Sequence, residues 1–322
     1  MEKLLDLVGI GECLVEFTSM GNGQYQLGFS GDVLNALSSA HRLGLTTGLI
    51  TAIGDDPFQA DLRQILLDEE IDLSRAPVLP GKPNGAYFIN FDDSGSPMFH
   101  FLRKDSAATE TFSAQSLEYL MTYAKQARVL LFSSILIAVM KEREKLFALL
   151  EAVKGETHLC YDLNVRRALW SDPAELIAMF DRIAPLVDVV FVTNDDDEIL
   201  FGQRDASVAV ADYQRRGFKH VVFRRGAERT VVADGDLRFE VPVPRVSRIV
   251  DTTGAGDSFN AGYIAAMLRR HQSFECVAMG NAAAACSVDT HGGRGTSISV
   301  QRVEKLYRPL VKWGMVHGPS RR

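Results

Sequence analysis

Short apolar runs alternate along the chain with segments whose apolar residues recur at helical spacing. Runs rich in Val, Ile and Leu are typical of buried strands, and the helical period is typical of amphipathic helices. This order predicts an α/β fold with a doubly wound, mostly parallel sheet, in which ligands bind beyond the carboxyl ends of the strands. The predicted strands cover residues 4–10, 48–53, 129–134, 159–163, 187–192 and 220–224. The predicted helices cover residues 33–43, 55 to about 70, 141–153, 173–184 and 206–217.

Residues 85–103 break this order, because their apolar residues alternate on both sides of a turn at residues 92–97. Residues 23–29 also have the pattern of an extended segment. Together they predict a small antiparallel β lid outside the main sheet, formed by excursions near residues 12–30 and 84–104. Such a lid would exclude water from a site. The alternative is a hairpin at the edge of the main sheet.

Length and composition limit the classes of function. The chain has 322 residues, of which 46% are hydrophobic, and no long Pro/Ser-rich or charged linker divides it. Length alone would allow two domains, but single α/β domains of this size are common, and we predict one domain over residues 1–322. The net charge of -6 offers no general attraction for nucleic acid or for an anionic membrane, so we expect neither as a partner.

The cysteines and the apolar runs point to a cytoplasmic location. No apolar run reaches the length of a membrane span, and the N-terminus lacks the apolar core of a signal peptide. The four cysteines lie far apart and have no CxxC spacing. We therefore expect buried, reduced thiols and no metal cluster built from cysteine.

Residues 251–262, Asp-Thr-Thr-Gly-Ala-Gly-Asp-Ser-Phe-Asn-Ala-Gly, place two glycines and a carboxylate at the start of a predicted helix. Gly254 and Gly256 allow backbone N–H groups to point at one spot, where the helix dipole also favours an anion. A phosphoryl group would bind well there. Asp257 would repel phosphate, but it suits a base that takes a proton from an attacking hydroxyl. The alternative is that Asp257 only caps the helix.

Two other phosphate-binding motifs are missing from the sequence. No Gly-x-x-x-x-Gly-Lys-Ser/Thr string occurs, which excludes a Walker-type loop. The pairs Gly9/Gly11 and Gly254/Gly256 each lack the third glycine of a dinucleotide fingerprint. This absence argues against a dehydrogenase.

Polar residues near predicted strand ends and helix starts suit the binding of a sugar acid. Asp32 and Asn35 lie three residues apart at a helix start, and carboxylate and carboxamide groups bind hydroxyls well. Arg166 and Arg167 follow a strand and could pair with a carboxylate or a phosphate. The alternatives are a helix cap at Asp32, a core position for Asn35 and solvent-exposed arginines.

The later segments suit a nucleotide and its metal ion. The acids of residues 194–198 could form an outer shell for Mg²⁺, bound through water, or simply a solvated first helical turn. Residues 224–228 combine two arginines with a glycine, which suits phosphates. Asn281 could contact adenine or face a neighbouring helix.

The motifs at residues 10–13, 28–35, 99–107, 162–170 and 251–262 resemble those of the ribokinase-like (PfkB) carbohydrate kinases. The resemblance extends from residue 9 to residue 281. Within this family the chain is most similar to kinases of 2-keto-3-deoxygluconate. The resemblance implies transfer of a phosphoryl group from ATP, with Mg²⁺, to the 6-hydroxyl of this sugar acid, with Asp257 as the general base.

The resemblance also implies a role for individual residues. The catalytic group would be Asp257 with an anion hole at Gly254, Ala255 and Gly256. The sugar acid would contact Gly31, Asp32, Asn35, Tyr87, Arg103 and Arg166, and the two arginines would neutralise its carboxylate. The nucleotide would contact Asn164, Thr193, Arg225, Gly226, Ala227, Thr230 and Asn281. Asp196 would act on Mg²⁺ through water, and Asp251 matches one residue of a monovalent-cation site that would hold K⁺.

Two departures from the family pattern leave the substrate open. Such kinases often have tyrosines in the region where Phe101 and Leu102 stand here. Thr193 replaces the Asn of an Asn-x-x-Glu magnesium motif. Kinases for fructose, a nucleoside or 5-keto-2-deoxygluconate are therefore alternatives, and a catalytically silent sugar-binding regulator is another. Edge pairing of the lid makes a homo-oligomer plausible.

Overall fold

A computed structural model describes residues 3–92 and 97–317, and a large sheet covered by helices dominates them. The strands are β1 (Leu5–Ile10), β2 (Leu14–Gly21), β3 (Gln24–Ser30), β4 (Thr47–Ile50), β5 (Ile53–Gly54), β6 (Asp72–Arg75), β7 (Val78–Leu79), β8 (Gly85–Phe91), β9 (Pro97–Leu102), β10 (Ala127–Ser133), β11 (His158–Asp162), β12 (Val189–Thr193), β13 (His220–Arg224), β14 (Thr230–Asp234) and β15 (Leu237–Val241). The helices are α1 (Asp32–Arg42), α2 (Gln59–Asp68), α3 (Leu117–Lys125), α4 (Ser134–Val139), α5 (Arg143–Val153), α6 (Pro173–Ile183), α7 (Asn194–Phe201), α8 (Ala206–Arg215), α9 (Ala255–Leu268), α10 (Ser273–Ser287) and α11 (Val300–His317).

The main sheet has nine strands in the order β15-β14-β13-β12-β11-β10-β1-β4-β6. Neighbouring strands run parallel from β13 to β6, and β14 and β15 add an antiparallel edge. This architecture confirms the predicted doubly wound, mostly parallel α/β fold. The strand predicted at residues 48–53 is divided, because β5 leaves the main sheet and pairs with β7.

Successive residues of each central strand enter two different cores. Leu7 of β1 packs into the core that contains Phe259 of α9, whereas its neighbour Val8 packs into the core that contains Leu146 of α5. Both faces of these strands are therefore buried, which explains their continuous apolar runs. With both faces covered by helices, the exposed parts of the sheet are its ends, where a site can form.

The small sheet has four strands in the order β3-β2-β8-β9, and it is separate from the main sheet. Its two outer pairs are antiparallel, whereas the central pair of β2 and β8 is parallel. The 85–103 segment is thus not an edge hairpin of the main sheet. Most of the predicted turn at residues 92–97 lies outside the described residues. Strand β2 was not predicted, because polar residues such as Glu16 and Thr18 interrupt its apolar pattern.

The cysteine environments and the helices bear on two further expectations from the sequence, reduced thiols and membrane spans. All four cysteines are buried and free, as predicted. Within residues 3–92 and 97–317, no helix combines the length and the apolar character needed to cross a bilayer.

Candidate active site

The carboxyl ends of β10, β11 and β13 meet the start of α1 and the start of α9. Ser133 ends β10, Asp162 ends β11 and Arg224 ends β13. Chain order along the sheet reverses between β1 and β10, and ligands of open α/β sheets bind at such switch points. The predicted site residues that precede or open α1 and α9 therefore lie where this fold class places its ligands.

Backbone N–H groups are available for an anion at the start of α9. Gly254 is the N-cap of the helix, with φ of 73°, and a Cβ atom there would lie 2.0 Å from the carbonyl oxygen of Gly293. Within the described residues, the N–H groups of Gly256 and Asp257 have no hydrogen-bond acceptor. The N–H of Ala255, in contrast, donates to the carbonyl of Thr252 at 3.1 Å. Two of the first amides of α9 are thus free for an anion, and that of Ala255 closes a turn.

Asp257 lies beside these amides and contacts a residue of α1. Its side chain does not cap α9; instead its Oδ2 accepts a hydrogen bond of 2.8 Å from Nδ2 of Asn35. Asp257 is only 8% exposed. Burial raises its pKa well above the ordinary value, and the carboxylates of Asp32 and Asp162 add to this shift, against the opposing effect of Asn35 and Arg224. A raised carboxyl pKa makes a stronger base.

An arginine network that the sequence did not predict supports the same turn. Nη2 of Arg224 donates to Oδ1 of Asp162 at 2.7 Å, and its Nη1 donates to the carbonyl of Gly256 at 2.9 Å. Asn260 completes the network: its Oδ1 accepts from Nη1 of Arg224 at 3.1 Å and its Nδ2 donates to Asp162 at 2.8 Å. The network attaches the first turn of α9 to two strands of the main sheet. The sequence indicated that Arg224 and Arg225 suit phosphates, but the side chain of Arg224 is buried and bonded within this network instead.

Asp32, the predicted sugar ligand that opens α1, contacts residues at the end of β10 and just after β11. Oδ2 of Asp32 accepts hydrogen bonds from Oγ of Ser133 and from Nδ2 of Asn164, the latter at 3.3 Å. Asn164, which was predicted to contact the nucleotide, therefore lies beside a predicted sugar ligand. Gly31 has φ of 149°, and a Cβ atom there would lie 2.3 Å from the carbonyl oxygen of Glu12. The sequence pattern did not indicate Ser133.

The predicted ligands from the small sheet are paired with acids. The hydroxyl of Tyr87 donates to Glu16, and Arg103 forms an ion pair with Glu12. The guanidinium carbon of Arg103 also lies 4.1 Å from the centre of the Phe101 ring. The two glutamates were not predicted as site residues.

Arg166 lies at the surface after β11, and the half-buried Arg225 directly follows β13. Arg166 is exposed, and among the described residues it has no acidic partner; its Nη1 donates to the carbonyl of Val165 at 3.1 Å. Arg225 pairs with Glu228 across a turn in which Gly226 and Ala227 are exposed. Both arginines are thus accessible to a ligand.

Asn281 and Thr230 contact each other inside the protein. Oγ1 of Thr230 donates to Oδ1 of Asn281 at 2.9 Å, and Nδ2 of Asn281 donates to the carbonyl of Pro242 at 3.1 Å. Both side chains are buried. Asn281 therefore joins α10 to β14 and to the segment after β15, and these contacts are not the neighbouring-helix contact given as the alternative.

Asp196 is also fully engaged within the protein. It is 3% exposed and forms a capping box with Thr193 at the start of α7. Its Oδ1 accepts from the N–H of Val165 at 2.6 Å, and its Oδ2 accepts from the N–H and the hydroxyl of Thr193. These bonds leave it poorly placed to hold the water shell of Mg²⁺. Of the acids in this turn, Asp195 and Glu198 are exposed.

Asp251 holds two loop amides. Its carboxylate accepts from the N–H of Thr253 at 2.8 Å and from the N–H of Gly292 at 2.9 Å. Burial alone would raise the pKa of Asp251, but these two bonds lower it. The carboxyl group is therefore ionised at neutral pH. The ionised carboxylate retains acceptor sites for a cation. In the described parts of the chain, no cluster of three or more His, Cys, Asp or Glu side chains could hold a metal ion.

Comparison with known proteins places this geometry in a family. The profile described as "pfkB family carbohydrate kinase" matches residues 4–299. The 2-dehydro-3-deoxygluconokinase of Escherichia coli (strain K12) is 29% identical over 293 residues, which cover 88% of this chain and 94% of that protein. A fructokinase of Salmonella typhimurium is 27% identical over 259 residues, with 80% and 83% covered. A candidate ribokinase II of Escherichia coli, solved with ATP and Mg²⁺, superposes with a TM-score of 0.82 at 22% identity, over 95% of this chain and 100% of that chain.

Proposed function

Because this chain belongs to the pfkB family of carbohydrate kinases, we propose that it transfers the γ-phosphoryl group of ATP to the 6-hydroxyl of 2-keto-3-deoxygluconate. The observation that carries this proposal is the position of Asp257 beside the two free amides at the start of α9. The similarity to a 2-dehydro-3-deoxygluconokinase supports this substrate.

In the proposed reaction Asp257 takes the proton of the attacking hydroxyl, and the N–H groups of Gly256 and Asp257 stabilise negative charge on the transferred group. Asn35 fixes the direction of the carboxylate. Mg²⁺, when bound, neutralises charge on the ATP phosphates. The exposed acids Asp195 and Glu198 suit its water ligands. Asp251 remains our candidate for a monovalent cation.

The acceptor side of the proposed site combines hydroxyl ligands with cations. Asp32 and Asn35 would orient the hydroxyl groups of the sugar, and Tyr87 would contact it from the small sheet. Arg103 and Arg166 would neutralise the carboxylate, since guanidinium groups bind carboxylates through paired hydrogen bonds. Arg166 is already exposed and has no acidic partner within the described residues.

A screen of ATP consumption tests the proposal. The panel contains 2-keto-3-deoxygluconate, 5-keto-2-deoxygluconate, fructose and a nucleoside, and phosphorus NMR of the product identifies the hydroxyl that is phosphorylated. We expect the highest kcat/KM for 2-keto-3-deoxygluconate and a 6-phosphate product. A higher kcat/KM for fructose would favour the alternative that the similarity to a fructokinase supports. No sugar-dependent ATP consumption would indicate a silent sugar-binding protein.

Replacement of Arg166 by Leu tests the carboxylate assignment separately. We expect kcat/KM to fall far more for the sugar acid than for fructose, because only the acid loses a charge partner. Arg167→Leu is the matched control, since this neighbouring arginine is also exposed. Equal losses for both sugars would show that Arg166 does not recognise the carboxylate.

The small sheet also supports a proposal about assembly. Its edge strands β3 and β9 offer backbone groups for pairing with a second copy, and Tyr25, Leu27, Met98 and Leu102 are exposed on these strands. We expect a homo-oligomer, which light scattering after gel filtration would detect. The four free thiols fit the cytoplasmic location that we propose.

A further inference from the structure

The segments that join the small sheet to the rest of the protein meet in a buried ion pair. Glu12 lies between β1 and β2, and Arg103 directly follows β9. Nη1 of Arg103 donates to Oε1 of Glu12. Glu12 is 3% exposed and Arg103 is 7% exposed, so each charge depends on the other for stabilisation.

This ion pair leaves hydrogen-bonding capacity unused. Oε2 of Glu12 and Nε of Arg103 are buried, and neither has a partner within residues 3–92 and 97–317. An unpaired buried polar atom costs free energy, which a ligand can recover. The pair also borders the acceptor side, because the backbone carbonyl of Glu12 packs against Gly31.

We propose that Glu12 determines how strongly the acceptor pocket binds acidic sugars, because it is the internal counter-ion of Arg103 and competes with the substrate carboxylate for this guanidinium. The inference rests on the proposed function, in which Arg103 receives that carboxylate. When Glu12 is ionised, the pair contributes no net charge, and a bound acid places a second carboxylate beside one guanidinium. Glu12 is therefore a positioning residue that limits the affinity for anions.

Proton uptake relieves the competition between the two carboxylates. Burial raises the pKa of Glu12 to about 7, although Arg103 opposes the shift, and the nearby carboxylate of Asp32 adds to it. The thiol of the adjacent Cys13 stays protonated, because burial raises its pKa to about 12. A bound sugar acid brings further negative charge, so Glu12 takes a proton from solvent when the acid binds. Affinity for the acid therefore falls as pH rises through about 7.

Titration calorimetry of the Glu12→Gln variant tests this inference. Glutamine keeps the size of the side chain and an oxygen that accepts from Arg103, but it removes the charge. At a pH of about 8, in the presence of a non-hydrolysable ATP analogue, we expect the variant to bind 2-keto-3-deoxygluconate about tenfold more tightly than the unmodified protein. Titrations in two buffers of different ionisation enthalpy should show proton uptake by the unmodified protein and none by the variant.

Glu69→Gln is the matched control for the loss of a buried acid that pairs with an arginine. Glu69 is buried directly after α2 and pairs with Arg42, and neither residue has a role in the proposed pocket. We expect this variant to retain the acid affinity and the proton uptake of the unmodified protein. The control separates a local effect on Arg103 from a general effect of charge or stability.

The outcomes that contradict this inference can be told apart from those that contradict the proposed function. A folded Glu12→Gln variant with unchanged affinity and unchanged proton uptake would overturn the role of Glu12 and leave the proposed function intact. If the unmodified protein binds no sugar acid, both proposals fail. If the variant does not fold, the unmodified protein still decides: equal binding heats in both buffers at a pH of about 7 to 8 would show no proton uptake and would overturn the inference.

Discussion

Replacement of Asp257 by Asn removes the proposed base while preserving most of its surroundings. The two side chains have nearly the same size, and the amide oxygen of Asn can accept the 2.8 Å hydrogen bond from Asn35. The free amides of α9 and the contact of Arg224 with Gly256 do not depend on the lost charge. The variant therefore isolates proton transfer from the stabilisation of phosphate.

Loss of a general base costs about 100-fold to 10,000-fold in kcat. This loss corresponds to about 3 to 5 kcal/mol of transition-state free energy. Affinity for ATP should not fall, because a carboxylate beside the phosphates repels them. The unfolding free energy should rise: an aspartate whose folded pKa lies above its unfolded pKa is destabilising at any pH above the unfolded value, and Asn removes that cost.

Three measurements check these expectations on one protein preparation. Coupled ATP consumption gives kcat, calorimetry gives the affinity for ATP, and urea titration at pH about 7 gives the unfolding free energy. Asp61→Asn, in an exposed turn of α2, is the control and should change none of them. Near-normal turnover would refute the role of Asp257 as the base. A lower unfolding free energy for the Asp257→Asn variant would show that the charge of Asp257 is better compensated than its burial implies.

Three further predictions follow from single contacts. Gly254→Ala should destabilise the protein by about 2 kcal/mol or more and lower kcat, because its φ of 73° disfavours Ala and the added Cβ would lie 2.0 Å from a carbonyl oxygen; an unchanged melting temperature would contradict this. Asn35→Ala removes a hydrogen bond that lowers the pKa of Asp257, so the acidic limb of the plot of kcat/KM against pH should move to higher pH. A limb that moves to lower pH or stays in place would count against Asp257 as the base. Burial lowers the pKa of His220, so the unfolded state binds more protons and stability should fall as pH drops below about 6.5; urea titrations should show a smaller fall for His220→Gln.

Six neighbouring strands of the main sheet, β1, β4 and β10 to β13, could be predicted from the sequence because they are buried on both faces, whereas the outer strands β6, β14 and β15 were not predicted. Continuous apolar runs such as β10 and β12 produce a signal that does not depend on tertiary contacts. Strand β2 has a half-exposed pattern of mixed polar and apolar residues, and only its pairing with β3 and β8 makes it a strand. Helix α2 begins at Gln59, after Pro57, although the prediction started it at residue 55.

Individual motifs of the candidate site were visible in the sequence, but the contacts between them were not. Asn35 and Asp257 are 222 residues apart in the chain and hydrogen bonded in the fold. Arg224 was predicted with Arg225 to suit phosphates, but its contacts could not be predicted, since they depend on partners from β11 and α9. Asp196 and Asn281 show the converse problem, because a helix cap and a contact between a helix and a strand use the same residue types as a ligand site. The roles assigned to the site residues remain predictions.

The separation of the two sheets has a consequence for how such a protein diversifies. The proposed ligands for the phosphate end lie on α9, which Arg224 anchors to the main sheet, whereas Tyr87, Glu12 and Arg103 belong to the two excursions that form or flank the small sheet. Under the proposed function, we expect mutations in these excursions to change the sugar that is accepted while the transfer machinery stays intact. Selection can thus act on the two halves of the site almost independently.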